Sequence, residues 1–528
     1  MQKTIRPVLI GGDWQPSRGT SSFQAVNPAT RKPIGDFFAV SPWPEIEQAL
    51  DAAEAAAVEM RSVPPIRIGE YLCWYADLID ARASALAAMA NLETGLPAEA
   101  RFMKNELPRT SNQLRQAGEA AKNGSWTHPT IDRKNRIRSM LGPIGPVVVF
   151  GVINFPGAFG AASGGDYAAA IAAGCPVIAK GNPHHPNLTQ MFAEAALEAA
   201  KATRMPKACL QLLYDIDHQD GLRLVADRRI GASAFTGSRD SGLRLKKAAD
   251  RAGKPIYLEM SSVNPVVITP KALAGARLEE IAIEYMSSCV MGTGQLCTYG
   301  HLVLMLEGAQ TEEFIRVMKE KFAAAPAGTL LSEGILRDLQ TGVLTLQQCG
   351  ATLLTGGREI PGDAYAFEST LLQVDGTTFL AQPGLQEEVF GRVSLVVVAK
   401  DESQLLAIIR SLEGNLTGAI YSDQNGEEED LYLKLESALR PRVGRLLNDK
   451  MPTGVAVSAA MQHGGPFPAS GHPGFTAVGI PASLERFGML QCFDNVPEHR
   501  LPPYLQDKAP HRGLWRSVDG AWMQGDLV

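Results

Sequence analysis

A few residue types, met in one order along the chain, are suited to covalent chemistry on a carbonyl. Cys297 follows two glycines in GTGQLCT and offers a thiol that becomes a nucleophile once deprotonated. Glu259 ends the apolar run PIYLEM and offers a carboxylate that could act as a general base. Asn154 follows PVVVFGVI, and its amide could donate to a developing oxyanion. Lys180 ends CPVIAK, and Gly237-Ser238 sit in FTGSRDSG, where a strand runs into a helix. An ammonium and a helix N-terminus suit ribose and phosphate groups. Each residue alone is ordinary: a turn asparagine, a solvated lysine, a surface glutamate, a turn glycine, a buried cysteine. Their co-occurrence in this order fits one sequence of events. A thiolate adds to an aldehyde, hydride leaves to a nicotinamide, and a base-activated water releases the thioester.

The elements that must carry these groups alternate. Apolar runs at 146–155, 175–180, 208–214, 230–237 and 255–260 predict strands. Segments 163–173, 188–203 and 241–252 predict helices between them. This rhythm means βαβ units and a mostly parallel sheet, whose ligands bind beyond the carboxyl ends of the strands. Upstream, 45–60 and 67–121 carry helical periodicity, broken at Pro64-Pro65 and near Gly95 and Pro97. The polar stretch 123–138 resembles an exposed strand. A second alternating block spans 272–448, with a helix at 310–323, a turn-rich segment at 355–368, and strands at 394–400 and 418–422. Beyond Gly454 the chain is rich in glycine and proline, and it contains no internal repeat.

Bulk properties exclude other classes. The 528 residues carry a net charge of −6, with 45% hydrophobic and 20% charged residues. That is globular composition, and a mildly acidic surface does not attract nucleic acid or anionic membranes. No signal peptide and no apolar run of transmembrane length is present. The seven cysteines form no CxxC pair, so neither a disulfide framework nor a metal site is expected, and a cytoplasmic location fits.

From about residue 10 to about 490 the chain resembles the aldehyde dehydrogenase superfamily. The matching pieces are NPAT (27–30), ETG (93–95), NFP (154–156), the Lys180 strand, FTGS (235–238), LE (258–259), GQLCT (294–298), EEVFG (387–391) and PTG (452–454). The resemblance implies two doubly wound α/β domains and a small β oligomerisation element. A cofactor domain would comprise 1–122 and 144–261 with part of 450–480, and a catalytic domain 262–449. The oligomerisation element and tail would comprise 123–143 and 481–528, pairing subunits into homodimers or homotetramers. It implies Cys297 as nucleophile, Glu259 as base, and Asn154 with the Cys297 N–H as oxyanion hole. Lys180 would hold the adenosine ribose, Gly237 and Ser238 the pyrophosphate, Glu388 the nicotinamide ribose, and Phe390 the nicotinamide.

Departures are local. Met-Ser-Ser follows Glu259 where Leu-Gly-Gly is usual, and Arg392 follows EEVFG where proline is usual. Segments 164–186, 461–470 and 501–510 resemble α-ketoglutaric semialdehyde (2,5-dioxovalerate) dehydrogenases and related NADP-dependent enzymes. An acidic semialdehyde needs a cation in the substrate funnel, for which Arg109 and Arg115 are candidates; Phe155 and Phe159 would line it. His463 would lie near the nucleophile and bias it toward thiolate. Pro183 stands where many NAD-preferring relatives carry a glutamate that repels a 2′-phosphate, and His218 lies in the loop after the third strand. Pro183 favours NADP, while a neutral His218 where relatives carry arginine attracts the phosphate less; the reading is NADP, with NAD as the alternative. The other readings are a dehydrogenase of neutral or long-chain aldehydes, a thiol esterase, a CoA-acylating relative and a non-enzymatic binding protein. Whether Cys289 pairs with Cys297 on oxidation is open at this level.

Overall fold

The computed structural model describes residues 4–527. Its first large sheet has seven strands in the order Ile256–Glu259, Ala232–Thr236, Val147–Phe150, Val177–Lys180, Leu210–Leu213, Val8–Ile10 and Asp13–Gln15. The first five are mutually parallel, and the last two form an antiparallel edge. The parallel strands are short because both faces are covered, so only the apolar centre of each predicted run is strand. Val147, Val148, Ile178, Leu212 and Ala232 are all buried, and alanine-rich helices such as Pro186–Thr203 pack over them. Helices Gly165–Ala172 and Arg239–Arg251 match the remaining helical predictions of this unit to within two residues.

Register explains the convergence of the polar residues. Thr236 lies beside Glu259, and Lys180 beside both Phe150 and Leu213, so Lys180, Glu259 and the residues that follow Phe150 and Thr236 leave the sheet at its carboxyl end. The chain winds outward from Val147–Phe150 in one direction, then returns to place Ala232–Thr236 on its other side. A crevice at that reversal is the expected ligand position in such sheets.

The second sheet runs Thr352–Thr355, Thr370–Asp375, Val393–Ala399, Leu302–Leu306, Val266–Ile268, Asn415–Tyr421 and Val443–Asn448. All are parallel except the first. Alternate residues serve opposite cores. Val267, Leu302 and Leu304 belong to one apolar cluster, whereas Val266, Ile268, Val303 and Met305 belong to another. That is the period-two signature of a strand covered on both faces.

A five-stranded sheet joins Ile137–Pro143 to Gly488–Asp494 and Thr130–Asp132, and continues through Trp515–Val518 and Ala521–Gln524. The polar stretch after residue 123 thus pairs with the C-terminal segment. The region 67–121 divides into Pro65–Ala81, Ala83–Thr94, a π-helical turn Ala98–Glu106, and Leu107–Asn123. Among the described residues no helix is long and apolar enough to cross a membrane.

Candidate active site

Cys297 leaves a tight turn, Met291–Gly294, in which Gly292, Thr293 and Gly294 all have positive φ. Gly294 is required twice over. Its φ is +71°, and a Cβ there would meet the Gly391 carbonyl carbon and oxygen at 2.6 Å. The turn is pinned by Gln295. The Gln295 amide donates to the Gly292 carbonyl at 3.1 Å and the Thr329 carbonyl at 3.2 Å, and its oxygen accepts from Leu331 N–H at 2.9 Å. Downstream, the buried Asn264 donates to the Cys297 carbonyl at 2.8 Å and the Tyr299 carbonyl at 2.9 Å. Asn415 accepts from the N–H groups of Val263 and Asn264 in turn. The nucleophile therefore sits on a chain segment whose polar groups are satisfied from both sides.

Glu259 and His463 face the thiol. His463 Nε2 lies 3.6 Å from Cys297 Sγ and 3.0 Å from Glu259 Oε1. Both side chains are nearly inaccessible, at 1% and 5% exposure for His463 and Glu259. Burial, together with the adjacent Glu259 carboxylate, pushes the Cys297 thiol well above its ordinary range. Burial also opposes ionisation of Glu259, but the neighbouring His463, with the thiol and Arg109, holds its carboxyl below the usual value. The two shifts move apart, so ionisation of Glu259 is favoured beside a thiol whose own ionisation is disfavoured. Asn154 is buried and donates from Nδ2 to the Gln295 carbonyl at 3.0 Å, leaving its second N–H for a ligand. Its loop is clamped by Glu106, which accepts from Gly157 and Ala158 N–H, and by Arg101, which donates to the Asn154 carbonyl at 2.9 Å and pairs with Glu106 at 3.1 Å.

A cavity of about 490 Å³ opens at the sheet reversal and reaches Cys297. Asn154, Lys180, Gly237, Ser238, Glu388 and Phe390 all line it. Ser238 caps the 13-residue helix Arg239–Arg251, so that N-terminus opens beside the cavity. Burial lifts the Glu388 carboxyl to about 8, against hydrogen bonds from Ser261 and from Ser262 N–H. A helix N-terminus at one point, an ammonium at another and a carboxyl near the thiol fit a dinucleotide laid along the cleft. Lys180 is paired, its Nζ 2.7 Å from Asp215 Oδ1. Pro183 lies in the turn after the Lys180 strand, and His218 is the exposed first residue of helix His218–Val225; neither lines the cavity.

A second cavity, about 860 Å³, approaches Cys297 past Phe155, Phe159 and Arg109. Arg101, Arg392 and Lys450 also line it, and among the described residues its single acidic lining group is Glu106, paired with Arg101. Arg109 donates to the Val455 carbonyl at 2.6 Å and lies over the Phe159 ring, while its Nε and Nη2 are buried without partners. Arg115 is not brought to the site. It pairs with Asp77 and Asp80, each at 2.6 Å, on the helix surface. Cys289 is free and buried, with Sγ 2.9 Å from the Tyr299 hydroxyl, and burial pushes its thiol up to about 12. Sequence reasoning missed Arg101, Glu106, Asp215, Asn264, Arg392 and Lys450. Only Asp215, directly after the third strand in LLYDID, stood where a strand-end group could be sought.

The aldehyde dehydrogenase family model matches residues 14–452, most of the chain and every parallel strand of both large sheets. The chain belongs to the aldehyde dehydrogenase family. It is an NAD(P)-dependent aldehyde oxidoreductase. Alpha-ketoglutaric semialdehyde dehydrogenase 2 of Azospirillum brasilense is 36% identical over 515 residues, 95% of this chain and 97% of that protein. Alpha-ketoglutaric semialdehyde dehydrogenase of Acinetobacter baylyi is 33% identical over 516 residues, 95% and 96% of the two chains. Among solved structures, lactaldehyde dehydrogenase from Escherichia coli superposes with a TM-score of 0.81 at 21% identity, covering 93% of this chain and 99% of that one. This last likeness speaks to the aldehyde dehydrogenase fold.

Proposed function

We propose that this aldehyde dehydrogenase oxidises a short acidic semialdehyde, 2,5-dioxopentanoate, to 2-oxoglutarate. One observation carries the reading: the funnel to Cys297 is lined by four cationic side chains, and the Arg109 fork presents two buried, unpartnered nitrogens beside it. A carboxylate would satisfy that fork in a bidentate manner and be drawn in by the field of the funnel. The names of the two relatives agree.

In this reading Glu259 takes the thiol proton as Cys297 Sγ bonds to the aldehyde carbon. The resulting oxyanion accepts from the second Asn154 amide N–H and from the Cys297 N–H. The bound nicotinamide supplies the hydride acceptor. With hydride gone, the oxyanion collapses to a thioester on Cys297. Glu259, having released its proton to solvent, then deprotonates a water that adds to the thioester. The C–S bond breaks, the thiol regains a proton, and the carboxylate product leaves. Arg101 and Glu106 hold the Asn154 loop throughout.

For the dinucleotide we favour NAD. Pro183 removes one source of repulsion toward a 2′-phosphate, which is the case for NADP. Against it, the Lys180 charge is committed to Asp215, whose carboxylate would accept from a ribose hydroxyl and repel a phosphate. Lys180, Glu388 and the Ser238 helix end would hold the cofactor.

Initial rates of purified enzyme with 2,5-dioxopentanoate, pentanal and a long-chain aldehyde, each with NAD and NADP, test both statements. The expected result is a kcat/KM for the acidic substrate at least tenfold above pentanal. Equal or higher values for the neutral aldehydes would discard the acidic substrate while leaving the dehydrogenase. Thioester hydrolysis without reduced cofactor would instead favour an esterase.

A further inference from the structure

We propose that Cys297, His463 and Glu259 also form a binding site for one thiophilic divalent cation, Zn²⁺ or its spectroscopic stand-in Co²⁺, and that the bound ion reversibly disarms the nucleophile. The three donor atoms, a thiol sulfur, an imidazole nitrogen and a carboxylate oxygen, lie within 4.8 Å of one another. Tetrahedral zinc, with Zn–S about 2.3 Å and Zn–N or Zn–O about 2.0–2.2 Å, needs an S···N edge of about 3.5 Å and an N···O edge of about 3.4 Å. Two observed edges are 3.6 and 3.0 Å and the third, S···O, lies within 4.8 Å, so side-chain rotations that move the donors by about an ångström close the set. Glu259 Oε2 is buried without a hydrogen-bond partner, so the carboxylate has an uncommitted acceptor.

The donor set selects the ion. One sulfur, one nitrogen and one carboxylate oxygen suit zinc or cobalt rather than magnesium or calcium, which want oxygen ligands throughout. The charges balance, since thiolate and carboxylate neutralise the dication. Arg109 and Arg445, which act electrostatically on Cys297, disfavour any cation lacking strong thiolate affinity. Binding displaces the thiol proton to solvent and forms metal–S, metal–N and metal–O bonds. A water takes the fourth position toward the funnel, and no electron is transferred. Occupancy removes the nucleophile and the base in one event, because both lone pairs are on the metal.

The test needs no turnover, so it is independent of the substrate assignment. Reduced full-length protein is titrated with Co²⁺ under anaerobic conditions and followed by absorption. The expected result is one Co²⁺ per chain with a thiolate-to-cobalt charge-transfer band, displaced by one equivalent of Zn²⁺. The band should be lost in Cys297→Ser, and affinity should fall about tenfold or more in His463→Gln. In parallel, stoichiometric Zn²⁺ should protect wild-type Cys297 from iodoacetamide, read by mass spectrometry of its peptide, with EDTA restoring reactivity. Absence of the band, retention of wild-type affinity in His463→Gln, or failure of Zn²⁺ to protect Cys297 would each overturn the proposal.

Discussion

Arg109→Met removes the charge and the guanidinium that lies over Phe159 while keeping an apolar stem of similar reach. In the wild-type enzyme one guanidinium nitrogen is held by the Val455 carbonyl, so the side chain is oriented before any ligand arrives. Two further nitrogens are buried and free of partners. A charge-assisted hydrogen bond is worth about 1.5–3 kcal/mol. Two parallel bonds to one carboxylate, discounted because the funnel opens to water and Arg101, Arg392 and Lys450 share the field, should be worth about 2–3 kcal/mol in total. That corresponds to a roughly 30–150-fold fall in kcat/KM for 2,5-dioxopentanoate. Pentanal has no carboxylate to lose, and its kcat/KM should change by less than about threefold. Arg109→Lys should fall between, since a point charge remains without the fork. The assay is initial-rate kinetics on both substrates at two ionic strengths. An equal loss on pentanal would mean that Arg109 supports the loop rather than the substrate, and a loss under about threefold on both would remove it from recognition.

Other perturbations follow from the same geometry. Glu259→Gln should slow deacylation, so that the acyl-Cys297 adduct accumulates in intact-protein mass spectra after one turnover; an adduct-free variant with normal rates would assign the base elsewhere. Because burial and Glu259 raise the thiol, alkylation of the cofactor-free enzyme by iodoacetamide should keep rising about tenfold per pH unit through pH 8 to 9. A plateau already reached near neutrality would show a preformed thiolate. Asp215→Asn should raise the NADP-to-NAD ratio of kcat/KM by about tenfold, since it removes a negative charge beside Lys180; an unchanged ratio would place the 2′ position elsewhere. Asn264→Ala should lower kcat by an order of magnitude or more with the fold intact by circular dichroism, because the Cys297 and Tyr299 carbonyls lose their donor. Full activity would show that Gln295 alone holds the turn.

The site was readable where chemistry coincides with strand ends. Asn154, Lys180, Gly237, Ser238 and Glu259 are brought to one cavity because parallel strands deliver their carboxyl ends to one side, and the turn Met291–Gly294 brings Cys297 to it from the second sheet. The error at Arg115 has a geometric cause. Six residues on an α-helix advance about 240° beyond a full turn count, so Arg109 and Arg115 cannot share a face. Arg109 reaches the funnel, and Arg115 meets Asp77 and Asp80 on the neighbouring helix. Arg101 and Glu106 were hidden by a π-helical turn, whose period the helical pattern does not follow. Arg392 and Lys450 come from loops flanking strands of the second sheet and enter the funnel only through tertiary contact. The N-terminal strands Val8–Ile10 and Asp13–Gln15 are too short to show a period, yet they complete the first sheet.

The missing side chain at Gly294 reaches beyond catalysis into how such a chain can change over time. Because Gly294 and Gly391 meet backbone to backbone, the loop that carries Cys297 and the loop that carries Glu388 and Phe390 share one wall with no side chain between them to absorb a mismatch. Neither loop can be lengthened, re-angled or borrowed from a relative without its counterpart. The two are coupled in shape although nearly a hundred residues of sequence lie between them. A chimera that exchanges one alone brings a mismatched pair of main chains together at the point where nucleophile and cofactor must be aligned.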